Sequence, residues 1–281
     1  MTPLARRILM DFGLWALAFA LTALAGGVWT GLLALNLATS PAIPWAVVVM
    51  GALLWALWRY LGGAWPPRAT SEVRRRALRA RRISGAALAW ALMAGLLAIV
   101  ALAGLWIVLF QVAGLPARTL PDYSHYPLLT VALALVMASL VNAIVEEAVF
   151  RGYFQGALEA QVGGLAAIAL TTLVMAPEHA LTQGFVWPTL VFYAAVDVML
   201  GATAYFTQSI LPGMLIHFAG LLVFFTLVWP GDMIRSLVGQ LDATAWLWIH
   251  GAQVVFFAAL AILAFARLAR LTRRSPVPAL S

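Results

Sequence analysis

Seven ionisable residues interrupt apolar stretches in the second half of the chain: Glu146, Glu147, Arg151, Glu178, His179, Asp197 and His217. A carboxylate with two imidazoles is a set that activates water. Glu146, His179 and His217 can hold a divalent metal such as zinc as three protein ligands and leave a fourth position to water. Without a metal, Glu146 and one His can polarise water as a general base while the second His steadies a developing oxyanion. Both routes attack a carbonyl, so hydrolysis is the natural reaction.

Spacing sorts these residues. Glu147 and Arg151 are four apart on one helix face, with the acid N-terminal, the favourable orientation for an ion pair. Mutual neutralisation is their expected role. Glu146 lies about 100° round the helix from Glu147 and needs a partner from elsewhere. His179 is the candidate, because Glu146 and His179 are equidistant from a break at Gly163-Gly164. In an antiparallel pair turning there, both lie about 25 Å from the turn. His217 follows Pro212 and Gly213, about 12 Å from its own turn, so the spans must tilt to bring it level. Asp197 reads as structural, holding a His or an Arg in place. Gly152, Gly156 and Gly201 read as close-packing positions. His125 and His250 fall near loops and interfaces and are assigned no chemistry. The chain has no H-E-x-x-H and no G-x-S-x-G motif. Cys is absent, which removes thiolate ligands and Cys nucleophiles.

The elements that position these groups are membrane helices. Of the 281 residues, 64% are hydrophobic and 10% charged, against about 25% charged in soluble domains. A soluble enzyme and a disordered chain are both excluded. Residues 12–58 contain no Asp, Glu, Lys or Arg, too long a run for one crossing and right for two. The break falls at residues 36–44, where Pro41 and Pro44 interrupt the helix. The expected architecture is all-α, a polytopic membrane bundle of about eight helices. Spans are expected near 12–37, 44–61, 84–112, 127–159, the stretch from Gly164 to about 181, 186–206, 211–229 and 244–266. Residues 1–126 are read as helices one to three with an Arg-rich loop, 127–230 as the core, and 231–281 as the last helix and a basic tail.

All 17 basic residues are Arg. They gather before span one (Arg6, Arg7), between spans two and three (Arg68, Arg74, Arg75, Arg76, Arg79, Arg81, Arg82) and after span eight (Arg267, Arg270, Arg273, Arg274). Eight spans put all three groups on one side. The positive-inside rule makes that side cytoplasmic, in a plasma (inner) membrane, with both termini inside. The opposite loops carry Arg118 and Arg235, and Pro116, Pro121, Asp122, Asp232 and Asp242 mark them as polar turns. A topological role for the Arg cluster is favoured over a nucleic-acid patch, so no nucleic-acid partner is expected. Membrane lipid and a peptide or membrane-protein substrate are the expected partners. The first segment reads as a retained anchor rather than a signal peptide. Trp45, Trp65, Trp187, Trp229 and Trp246 sit near span ends, as an aromatic belt does.

Glu146-Glu147-Ala148-Val149-Phe150-Arg151 resembles the E-E-x-x-x-R signature of the CPBP family, the CAAX-processing and bacteriocin-processing intramembrane endopeptidases. Met175-Ala176-Pro177-Glu178-His179 looks like its second motif, F-x-x-x-H, with Met in place of Phe. The segment ending Leu-Pro-Gly-Met-Leu-Ile-His217 looks like the lead-in to its third, H-x-x-x-N, but Leu221 stands where the family has Asn. The resemblance covers about residues 127–225. It implies an intramembrane metallopeptidase in which Glu146 and His179 activate water, His217 joins an oxyanion site, and Glu147 and Arg151 orient the first motif. Asn142 and Gln208 are the polar residues available to replace the missing Asn. A non-catalytic member, acting in bacteriocin self-immunity or as a membrane scaffold, is the alternative. A proton-coupled transporter is a third, against which stands the lack of an internal repeat.

Overall fold

The protein is represented by a computed structural model that describes residues 3–113, 123–234 and 243–272. Pro116, Arg118, Pro121, Asp122, Arg235, Asp242, Arg273 and Arg274 lie outside the described residues. All regular elements among the described residues are helical, as the composition requires. They are α1 (Pro3–Thr39), α2 (Trp45–Leu61), α3 (Ser71–Leu78), α4 (Gly85–Ala113), α5 (Leu128–Glu146), α6 (Gln155–Val162), α7 (Gly164–Gln183), α8 (Trp187–Thr207), α9 (Leu211–Val223) and α10 (Ala243–Thr272). Each expected span is a helix. Six are long and apolar enough to cross a membrane: Thr22–Thr39, Gly85–Ala113, Leu128–Val162, Trp187–Thr207, Leu211–Asp232 and Thr244–Thr272. Trp45–Leu61 and Gly164–Ala180 are shorter apolar helices.

The first break is held by one buried side chain. The Asn36 amide donates to the carbonyls of Ser40 and Ile43, both at 2.9 Å, and its oxygen accepts from Ala46 N–H at 2.9 Å. The end of α1, the turn and the start of α2 are thereby one unit. Thr130 donates to Pro41 O at 2.7 Å and ties α5 to that turn.

The long fourth span is interrupted in its hydrogen bonding. Residues Glu147–Phe154 are π-helical between α5 and α6. A π segment widens the turn and rotates the next stretch of helix about its axis, and such segments cluster at functional sites. Gly163 then ends α6 at φ 82°, a left-handed value that suits Gly.

The Arg-rich stretch is a packed strap rather than a solvated loop. Arg74 stacks over Tyr60 at 4.2 Å and donates to the carbonyls of Trp65, Pro66 and Pro67. Arg79 is 6% exposed. It grips Glu159 through two bonds, 3.0 and 3.1 Å, and also donates to Arg151 O and Ala204 O. The strap reaches into the bundle: Ile210 N–H donates to Arg79 O at 3.2 Å and Ser209 to Arg81 O at 2.7 Å. A Cβ on Gly152 would lie 2.9 Å from Leu78 O, so only Gly permits this approach. Gly152 and the α8–α9 turn therefore meet the same piece of backbone.

On the other side of the molecule α10 packs along α4, where Gln253 donates to Val100 O at 2.7 Å and His250 contacts Gln253 at 2.9 Å. The main core gathers round Trp106, which is 1% exposed and packs edge-on against Phe192, Phe224 and Trp229. Its indole N–H donates to the carboxylate of Asp232. Trp229 thus departs from the expected aromatic belt. It lies inside the core, edge-on against Trp106, where the seventh span passes from π-helix to a 3-10 turn over residues 229–234. Trp65, Trp187 and Trp246 are exposed, in keeping with the belt.

Removing Arg79 would leave Glu159 deprived of its main partner in a nearly dry place. Arg79→Ala is expected to cost about 3–5 kcal/mol, and Arg79→Met with Glu159→Met to recover much of it. Thermal unfolding in detergent checks this; a loss no larger than that of the exposed Arg75→Ala would contradict the strap's role.

Candidate active site

Glu146 ends α5 and is 8% exposed. Its Oε2 lies 3.8 Å from His179 Nε2 on α7 and 3.8 Å from His217 Nε2 on α9. The three residues singled out by type and spacing therefore converge on one oxygen. That oxygen has no hydrogen-bond partner among the described residues. A polar separation beyond about 3.5 Å is one that water commonly bridges.

The depth match between Glu146 and His179 holds, but not as a tightly packed hairpin. α5 packs chiefly against α9 and α1, and α7 chiefly against α8. The two side chains meet across a cavity instead. The α8–α9 turn that leads to His217 is bonded to the same strap that Gly152 abuts, which brings the two helices to a common reference level. Glu146 is six residues from Gly152 and His217 seven from Ile210, comparable lengths of helix.

Behind the three lies a buried ionic chain. His217 Nδ1 contacts Glu147 Oε1 at 3.2 Å. Glu147 Oε1 is 3.5 Å from Arg151 Nη1, and Arg151 Nη2 donates to Asp197 Oδ1 at 2.6 Å. Glu147 and Arg151 are both fully buried. The expected Glu147–Arg151 pair exists, but it is not self-contained. Its tighter bond runs to Asp197, which holds an Arg as expected, and its acid end holds His217. Gly213 makes room for this: a Cβ there would lie 2.6 Å from Glu147 Oε2. On the far side, the Tyr193 ring stacks on His179 with centroids 4.3 Å apart and planes at 19°.

A cavity of about 590 Å³ opens onto the cluster. Its walls include Glu146, His179, His217, Arg151 and Asp197, with Asn142, Glu178 and Leu221. Phe192, Phe224 and Trp229 make one apolar wall, and Thr22, Ala23, Gly26 and Gly27 of α1 another. Of the two polar residues available to replace the missing Asn, Asn142 faces this cavity and Gln208 does not. Gln208 donates to Glu159 and to Tyr205 O at the strap. Glu178 reads in the sequence as an intramembrane charge without a role. Its direction depends on how α7 turns after the internal Pro177, which spacing does not reveal. The packing glycines behave as expected: a Cβ on Gly156 would meet Arg79 at 3.0 Å and one on Gly201 would meet Gln155 at 3.0 Å.

The donor types suit a divalent ion, since His217 also ties its remote nitrogen to a carboxylate as metal-bound His does. The gathering does not. Among the described residues no group of three His, Asp or Glu side chains is arranged to hold a metal ion.

A family model described as type II CAAX prenyl endopeptidase Rce1-like matches residues 128–223. The match runs from the first residue of α5 to the last of α9 and takes in Glu146, His179, His217 and Leu221. No curated protein and no solved structure matches the chain. The segment from α5 to α9, about a third of the chain, is thus similar to the Rce1-like CAAX prenyl endopeptidases.

Proposed function

We propose that the protein is an intramembrane endopeptidase that hydrolyses a peptide bond near the cytoplasmic membrane boundary. The observation that carries this reading is the convergence of His179 and His217 on Glu146 Oε2 at 3.8 Å, beside a cavity large enough for a peptide segment. Glu146 takes a proton from water held between its Oε2 and His179 Nε2. The oxygen attacks the substrate carbonyl carbon. When the C–N bond breaks, Glu146 returns the proton to the leaving amine. Tyr193 stacks on His179 and fixes the plane of its ring. Glu147 fixes the His217 ring through Nδ1 and offsets the charge of its protonated form, in which Nε2 donates to the oxyanion. Arg151, set by Asp197, keeps Glu147 in place. Asn142 supplies a second donor: its amide has no partner among the described residues, and it lines the cavity one turn before Glu146. The apolar walls exclude bulk water and strengthen each of these interactions.

The Arg strap, with Arg6, Arg7, Arg267 and Arg270 near the ends of the sequence, supports a cytoplasmic location for that end of the bundle by the positive-inside rule, and the membrane proposed is the inner one. The proposed reaction uses no metal.

Leu221 favours a second reading. It presents hydrocarbon to the cavity where the resemblance calls for an amide. A non-catalytic member, acting in bacteriocin self-immunity or as a membrane scaffold, would tolerate that. If Glu146→Gln leaves the cellular phenotype intact, this second reading stands and catalysis does not.

Cleavage of quenched peptides by the purified protein is expected to fall by about 10²–10⁴ in kcat for Glu146→Gln and for His179→Ala; undiminished cleavage by either variant contradicts the mechanism. Asn142→Ala is expected to lower kcat by about 10²-fold with little change in KM, and Leu221→Asn in that background to recover part of it. An unchanged kcat for Asn142→Ala would remove it from the oxyanion site. Protein purified without added metal is expected to keep its activity in chelator and to show no stoichiometric zinc by elemental analysis; loss of cleavage restored by zinc would make Glu146, His179 and His217 ligands.

A further inference from the structure

The mechanism leaves one half-buried acid of the cavity without employment. Glu178 lines the reaction cavity beside His179, and its Oε2 is buried with no hydrogen-bond partner among the described residues. Such an oxygen is costly to desolvate unless a donor reaches it. Four carboxylates line or adjoin this cavity, from Glu146, Glu147, Glu178 and Asp197, against the guanidinium of Arg151. That guanidinium is committed to Glu147 and Asp197. Glu146 is turned to the imidazoles. What remains is a carboxyl group facing a space that substrate must fill.

Resting on the endopeptidase reading, we infer that Glu178 is a specificity-determining residue that receives a basic side chain, Lys or Arg, from the substrate peptide close to the scissile bond. A guanidinium or ammonium makes the strongest bond available to a carboxylate, because both partners are ionic. Phe192, Phe224 and Trp229 on the cavity wall suit the long apolar stem of such a side chain. Aromatic faces also attract the cation it carries. A neutral side chain of the same length would fill the same space and leave Glu178 Oε2 unsatisfied. Sites built to satisfy a buried polar group discriminate strongly against an analogue that lacks the partner.

Quenched peptides whose residues flanking the cut vary among Lys, Arg, norleucine and Glu test this. Wild-type protein is expected to cleave the Lys or Arg version at one flanking position about tenfold or more faster, in kcat/KM, than the norleucine version. Glu178→Gln, which keeps the side chain's size, is expected to bring the ratio of the two close to one; a ratio that stays at the wild-type value would overturn the inference. Fluorescence anisotropy on Glu146→Gln protein gives a readout free of turnover, in which the Lys peptide binds more tightly than the norleucine one. If wild type cleaves basic and norleucine peptides alike at every flanking position, this inference falls and the endopeptidase reading stands. If wild type cleaves no peptide of the set, that reading fails and takes the inference with it.

Discussion

Everything in this site depends on how one buried guanidinium is compensated. Arg151 sits in a part of the fold with no access to solvent, and an unpaired charge there would be untenable. Asp197 and Glu147 hold it from two sides. The consequence is geometric as well as energetic. Glu147 is pinned at one end to Arg151 and so can pin His217 at the other. His217 in turn faces Glu146. A chain of four residues from three helices thereby converts an electrostatic necessity into a fixed imidazole. Nothing comparable would be needed if His217 were a passive core residue.

The second constraint is depth. Residues that must meet in a bilayer have to lie at one level, and helix lengths alone do not guarantee it. Here the strap between α2 and α4 does the levelling. Arg79 and Arg81 accept the α8–α9 turn through their backbone carbonyls, while Gly152 lets the fourth span pass against Leu78. The turn and the fourth span are thus referred to one piece of backbone, and His217 meets Glu146. The Arg side chains close the arrangement: Arg79 locks Glu159 beyond the same turn, and Arg74 staples the strap to Tyr60. Arg residues whose sequence pattern speaks only of topology also carry architecture.

Much of this is legible in the sequence, for identifiable reasons. Uncharged runs of the right length must be helices in lipid, because backbone groups there have no other partners. The turn at residues 36–44 is readable because Pro41 and Pro44 cannot continue a helix. The Glu146–His179 match comes from counting out from Gly163-Gly164. The remainder depends on contacts that spacing does not encode. The π-helical segment changes which carbonyl each N–H meets without changing composition. The Arg151–Asp197 bond joins residues 46 apart in sequence. Trp229 reads as an interface residue, and only its long-range packing against Trp106 reveals it as core. Gln208 has the right chemistry for the site but is held at the strap by Glu159. Glu178 is visible as a charge, yet the way it faces is set by the rotation of α7.

Glu146, His179 and His217 can act together only if they surround a common solvent molecule. The chain has only 4 His, so magic-angle-spinning NMR of histidine-labelled protein in lipid can resolve each ring. Water-proton contacts are expected at the Nε2 atoms of both His179 and His217, together with carboxylate correlations from His217 Nδ1 to Glu147. Dry rings at 179 and 217, with no correlation to a Glu carboxylate, would contradict the shared water and the hydrolysis built on it.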